Sequence, residues 1–167
     1  DSLARDSSVI ILGVGAFAQV LIMPDQSDSG NNGDSLDYKL LVQNLGNAPD
    51  VIDIGTIGGG FSYSLRDRFG NLLTDTDGDG LVDMGVLGAF GGSESLLVRV
   101  KIPATGIGVV DTVFVRAYSS NNPSVYDEAC LLTKILGGVW GLRVEWNQEN
   151  RVEIGAAVSY ELYALLQ

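Results

Sequence analysis

Apolar and polar side chains alternate with a period of two through much of the chain. Tyr38, Leu40 and Val42 fall on one side of such a run, and Lys39 and Gln43 on the other. Phe61, Tyr63 and Leu65 oppose Ser62, Ser64 and Arg66, and Leu96, Val98, Val100 and Ile102 oppose Arg99 and Lys101. Successive side chains of a strand point to opposite faces, so each of these runs predicts a half-buried β-strand. Residues 113–118, 129–135, 142–146 and 152–164 predict further strands. Residues 156–167 also read as helix, but the alternation of Val152, Ile154, Ala156, Val158, Tyr160 and Leu162 favours strand. No other segment predicts a helix.

Turn signals separate the runs at intervals typical of stacked sheets: Asn44-Leu45-Gly46-Asn47, Gly58-Gly59-Gly60, Gly91-Gly92, Asn121-Asn122-Pro123 and residues 147–150. About nine strands without crossover helices predict an all-β, antiparallel β-sandwich. Residues 24–35, rich in Asp, Ser, Gly and Asn, read as a surface loop. Gly137-Gly138 divides a body, residues 24–136, from a C-terminal β-hairpin, residues 137–167, packed on the body or exchanged with it.

Residues 1–23 form a third segment. Between Val9 and Met23 it is apolar on both faces of any strand, and burying its large side chains at roughly 1.5–3 kcal/mol each gives more than about 10 kcal/mol of driving force to be covered. Two readings compete. In one, it is the first strand of the chain's own sandwich; in the other, Val9, Ile11, Val14, Phe17, Val20 and Ile22 are donated to the sheet of a neighbouring copy. The run is shorter than the roughly 20 residues of a membrane helix, so no membrane insertion is expected. It also lacks the basic start and cleavage signature of an intact signal peptide, and a processed, exported chain is expected.

Composition narrows the chemistry. The 167 residues carry 21 acids against 10 bases, a net charge of −11, which disfavours nucleic acid and anionic lipid as partners. There is no His and one Cys, which removes Ser–His and Cys–His pairs and imidazole metal sites. Cys130 lies in an apolar run and reads as a buried, inert thiol. No acid sits in the apolar setting of a catalytic acid except Glu145 and Glu153, and these alternate outward. The chain reads as a non-enzyme.

One motif carries chemistry. Asp75, Asp77, Asp79 and Asp83 occupy positions 1, 3, 5 and 9 of an acidic loop with Gly80 at position 6. This is the spacing with which a calcium loop wraps oxygens around a hard cation, the Leu81 carbonyl at position 7 adding another. Position 12, where a bidentate Glu closes the shell of a helix–loop–helix site, is Val86. The flanks predict strands, so the expected role of calcium is structural. Without a cation, the loop is a solvated Asp-Gly turn whose carboxylates repel by about 1 kcal/mol per pair. The irregular acids Asp25, Asp28, Asp34 and Asp37 read as solvated loop.

Residues 38–54, YKLLVQNLGNAPDVIDI, resemble the opening of bacterial and archaeal extracellular immunoglobulin-like repeats of the CARDB type, with the pattern V-x-N-x-G-N before a returning strand. SLLVRVKIP at residues 95–103, DTVFVRAYSS at 111–120 and the strand at 127–134 continue the likeness over residues 9–135. The acidic loop resembles dockerin and thrombospondin type 3 calcium repeats. These resemblances imply an immunoglobulin-like sandwich outside the cell, used for adhesion, spacing or assembly, with no active site.

Together these observations lead to the expectation of a structural subunit of an extracellular filament or pilus-like fibre. Its partners are copies of itself, head to tail, together with other cell-surface components. The alternative is a monomeric adhesion or carbohydrate-binding module, with Trp140, Trp146, Tyr63 or Tyr118 as stacking platforms.

Overall fold

The structure is a computed structural model, and it describes residue 13 and residues 15–104 and 106–136. Among the described residues nine strands form two sheets: β1 (Val20–Met23), β2 (Gln26–Asn31), β3 (Ser35–Asn44), β4 (Asp50–Gly58), β5 (Ser62–Arg66), β6 (Val82–Leu87), β7 (Gly92–Lys101), β8 (Val110–Ser119) and β9 (Asn122–Leu136). One sheet has the order β1-β3-β7-β5 and the other β2-β9-β8-β4-β6. Two sheets stacked with this Greek-key order make an immunoglobulin-like β-sandwich. Among the described residues no helix forms.

The core follows from the alternation. Tyr38, Leu40 and Val42 of β3, and Leu96, Val98 and Val100 of β7, face Val113, Val115 and Ala117 of β8 and Ala129 and Leu131 of β9, all buried. The Tyr38 hydroxyl is satisfied by the Thr133 hydroxyl at 2.8 Å and by the Leu132 carbonyl, to which it donates at 3.0 Å. A buried Tyr needs such a partner for its polar tip.

Four expectations are corrected. Residues 24–35 are not all loop, because six of them form β2. That strand pairs parallel with β9, Gln26 opposite Leu131 through Asn31 opposite Leu136, so the sandwich is not wholly antiparallel. The chain pairs first with β3 as β1, crosses at Pro24 and then joins the opposite sheet, a path no period-two pattern encodes. Tyr63 keeps the inward phase of Leu65, its hydroxyl bonded to Thr56 of the opposite sheet, but stays 41% exposed on the short edge strand β5. Cys130 is half-buried, not buried: Ala129 and Leu131 take the core positions, so the thiol between them falls on the outer face.

The fourth correction concerns the proposed donor residues. Val20 and Ile22 lie in β1, paired with β3 of the same chain and buried in its own core at 7% and 3% exposure. These two side chains fill the chain's own sandwich rather than a neighbour's. Phe17 is half-exposed ahead of β1. Val9, Ile11 and Val14 lie outside the described residues, as do the hairpin at 137–167, Trp140, Trp146, Glu145 and Glu153.

The V-x-N-x-G-N segment has a local physical basis. Asn44 is fully buried, donates from Nδ2 to the carbonyls of Ala48 and Leu87 at 2.8 and 3.1 Å, and accepts the Gly46 N–H at 2.9 Å. Gly46 is required by close approach, since a Cβ there would lie 2.6 Å from the Phe17 carbonyl oxygen. Asn47 then holds the incoming chain, accepting the Phe17 N–H at 2.8 Å and donating to the Gly15 carbonyl at 3.0 Å.

Candidate metal centre

The acidic loop spans the connection from β5 to β6 and folds back against the outer face of the second sheet. Its turns are stabilised by carboxylates. Asp75 accepts the N–H of Gly78 at Oδ1, 2.7 Å, and that of Gly80 at Oδ2, 2.9 Å. These bonds hold the Asp75 carboxyl below the ordinary carboxylate range. Asp79 Oδ1 accepts the Leu81 N–H at 2.8 Å, and Asp77 Oδ1 accepts the Asp79 N–H at a longer 3.3 Å. Gly78 and Gly80 take positive φ values of 86° and 96°, which side chains with a Cβ rarely adopt.

Asp83 is the second residue of the return strand β6 and is buried at 3% exposure. Its Oδ1 accepts from the Thr76 hydroxyl at 2.7 Å and the Gly85 N–H at 2.6 Å, while its Oδ2 accepts the Thr76 N–H. An irregularity fixes its position. Asp50 and Val51 of β4 pair with Leu87 and Val86, but Asp53 and Ile54 pair with Asp83 and Val82, so Met84 and Gly85 together oppose Ile52. This bulge, with Gly85 at φ 69°, sets Asp83 directly opposite Asp53.

Asp53 is the residue sequence reasoning missed. Ile52 and Ile54 face the core, so Asp53 points to the outer face, where a carboxylate is normally solvated. Here it is 1% exposed. Its Oδ2 accepts the Ser120 hydroxyl at 2.7 Å, and its Oδ1 is buried with no hydrogen-bond partner among the described residues. Burial raises its carboxyl above the ordinary range, and the nearby charges of Asp79, Asp77 and Asp83 push the same way. The signal in the sequence was only the outward phase of one acid between two isoleucines. Its relation to the loop comes from the β4–β6 pairing.

Among the described residues, two groups of carboxylates have ligand atoms within 4.8 Å of one another: Asp53, Asp77 and Asp79, and Asp75, Asp77 and Asp83. The structure therefore brings together four of the five expected ligands, Asp75, Asp77, Asp79 and Asp83, around a shared Asp77. Leu81, whose carbonyl was the fifth, lies exposed at the end of the loop. Hard oxygen donors of this density suit a divalent cation such as calcium.

No family model and no curated protein matches the chain. Solved structures with a similar fold include the ASH/PapD-like domain 7 of human CEP192, at 14% identity and a TM-score of 0.44, the match covering 81% of this chain and 99% of that domain. The class 5 fimbriae chaperone CfaA is similar at 17% identity and a TM-score of 0.34, over 71% of this chain and 56% of the chaperone. A family 123 glycoside hydrolase from Clostridium perfringens, which acts on glycolipid glycans, is similar at 10% identity and a TM-score of 0.45. That match covers 74% of this chain, which spans 28% of the hydrolase. These likenesses concern the fold.

Proposed function

We propose that this chain is a non-catalytic structural subunit of an extracellular surface fibre, joined to neighbouring copies by strand addition and stiffened by calcium in the acidic loop. The observation that carries this reading is the outer edge of β3. On one side β7 pairs with β3 along its whole length, Ser35 opposite Lys101 through Asn44 opposite Gly92. On the other side β1 pairs only with Leu41 through Asn44. Residues 35–40 have no strand beside them there among the described residues; the Gln26 side-chain amide, donating to the Lys39 carbonyl at 2.6 Å, is a partial substitute.

An open edge supplies unpaired backbone groups to an incoming strand, and pairing through such an edge is a general mode of assembly. The run Val9, Ile10, Ile11, Leu12, Gly13, Val14 has the length to match residues 35–40 and the apolar character to leave water once paired. Asp37 and Lys39, alternating along the edge, disfavour indiscriminate pairing. Because Val20 and Ile22 are used within the chain's own core, the donated segment in this reading is residues 9–14. Calcium on the loop joins the β5–β6 connection to the sheet, which suits a subunit that bears load. An extracellular location follows from the resemblances and from a calcium site of the weak kind found outside cells.

Complementation tests the reading. A chain lacking residues 1–14 keeps β1 and is expected to fold, to remain monomeric, and to gain several degrees in Tm when a peptide of residues 9–14 is added. Assembly of the truncated chain as readily as the full one, or a peptide without effect on either Tm or mass, contradicts strand donation from this segment.

A further inference from the structure

The two carboxylate groups around Asp77 are not equivalent, and the difference assigns the ion. In the group of Asp75, Asp77 and Asp83, both oxygens of Asp75 accept backbone N–H groups, and both oxygens of Asp83 accept from Thr76, with Gly85 adding a third bond. Those two residues are engaged in building the turn. In the group of Asp53, Asp77 and Asp79, among the described residues Asp53 Oδ1 is buried without a partner, and Asp77 and Asp79 each accept a single N–H at Oδ1 alone. A buried carboxylate oxygen with nothing to bond is costly, and a cation removes that cost.

We infer that one calcium ion seats between the sheet and the loop, on Asp53 of β4 together with Asp77 and Asp79, rather than on the loop's own Asp75, Asp77 and Asp83. This rests on the calcium reading above and changes its ligand set. The loop has Val86 where a self-contained calcium loop has its closing Glu, and Asp53 supplies the missing carboxylate from a different strand. Directly opposed like charges in a ladder destabilise it, and Asp53 and Asp83 are such a pair. The ion on Asp53 offsets that repulsion at the bulge where the loop rejoins the sheet. The consequence is mechanical as well as chemical, because the ion ties a surface loop to the strand at the centre of β8, β4 and β6.

Calorimetric titration of the full chain with calcium chloride at neutral pH is the test, with Asp53→Asn, Asp79→Asn and Asp75→Asn compared with wild type. Wild type is expected to bind one calcium, Asp53→Asn and Asp79→Asn to weaken it at least tenfold, and Asp75→Asn to weaken it less than either. Without calcium, Asp53→Asn is expected to melt no lower than wild type, since it keeps an acceptor for Ser120 and removes a buried charge. Asp79 is exposed, so its variant keeps the fold whatever the effect at Asp53. Calcium binding by wild type that survives unchanged in Asp53→Asn and Asp79→Asn overturns the ligand set and leaves the calcium reading standing. No binding by wild type overturns the calcium reading itself.

Discussion

At the scale of single residues, the positions that matter most are polar groups in places where polarity is costly. Asn44 satisfies three backbone groups, the Gly46 N–H and the Ala48 carbonyl of the β3–β4 turn and the Leu87 carbonyl at the end of β6. Asn44→Ala is therefore expected to lower stability by about 1–3 kcal/mol in denaturant unfolding. Gly46→Ala is expected to lower it by a similar amount, about 1–3 kcal/mol, because the new methyl meets backbone rather than a yielding side chain. Asp37 and Arg99 form a bidentate pair, 2.7 Å at each contact, and the guanidinium holds the Asp37 carboxyl below its ordinary value. A lowered acid contributes stability above the unfolded carboxylate pKa of about 3.9, and that contribution is lost as pH falls through the folded value. The pair is exposed, so Asp37→Ala is expected to change stability at pH 7 by less than about 1 kcal/mol, and to flatten the acid limb of the stability–pH curve slightly. What was legible at this scale was the loop, because its acids are spaced within one short window. Asp53 was not legible, since its role depends on a contact with residues more than twenty positions away. The half-buried place of Cys130 follows from its phase in β9, between Ala129 and Leu131, which the apolar composition of the run does not reveal.

Among the elements, the strands that alternate cleanly, β3, β7 and β8, were readable from sequence because one face of each is fully buried and the other solvated. Leu96→Ala in β7, at a fully buried position, is expected to cost about 2–5 kcal/mol by thermal or denaturant unfolding. β2 was unreadable because its residues are polar and small. It is held by the backbone ladder to β9, and by Asp34 accepting the Asn31 N–H at 2.8 Å, rather than by side chains in the core. The β6 bulge was equally hidden, since Gly85 is one glycine among many until the pairing is known. Gly85→Ala is expected to destabilise by about 1–2 kcal/mol through its positive φ. It is also expected to weaken calcium binding, as it displaces Asp83 against Asp53; a variant with unchanged stability and affinity would show that the bulge does not set the site.

For the whole molecule, a net charge of −11 is partly a property of one corner. Five aspartates, four from the loop and one from β4, converge on it, and in the proposed reading a calcium ion relieves the repulsion of that corner. Melting in calcium is accordingly expected to exceed melting in chelator by several degrees, and Asp77→Ala, which removes the residue shared by both carboxylate groups, is expected to abolish the difference. The sandwich itself closes around its core, yet β3 presents an edge beyond the reach of β1, and the chain carries an apolar run that its described core does not use. The proposed self-assembly is what joins these two features. The most direct measurement is the mass and form of the purified full chain, by light scattering on a sizing column and by electron microscopy, with calcium present. The account predicts uniform filaments that disappear when residues 1–14 are removed. A single species of 17.7 kDa at every concentration, with no filaments, would contradict it.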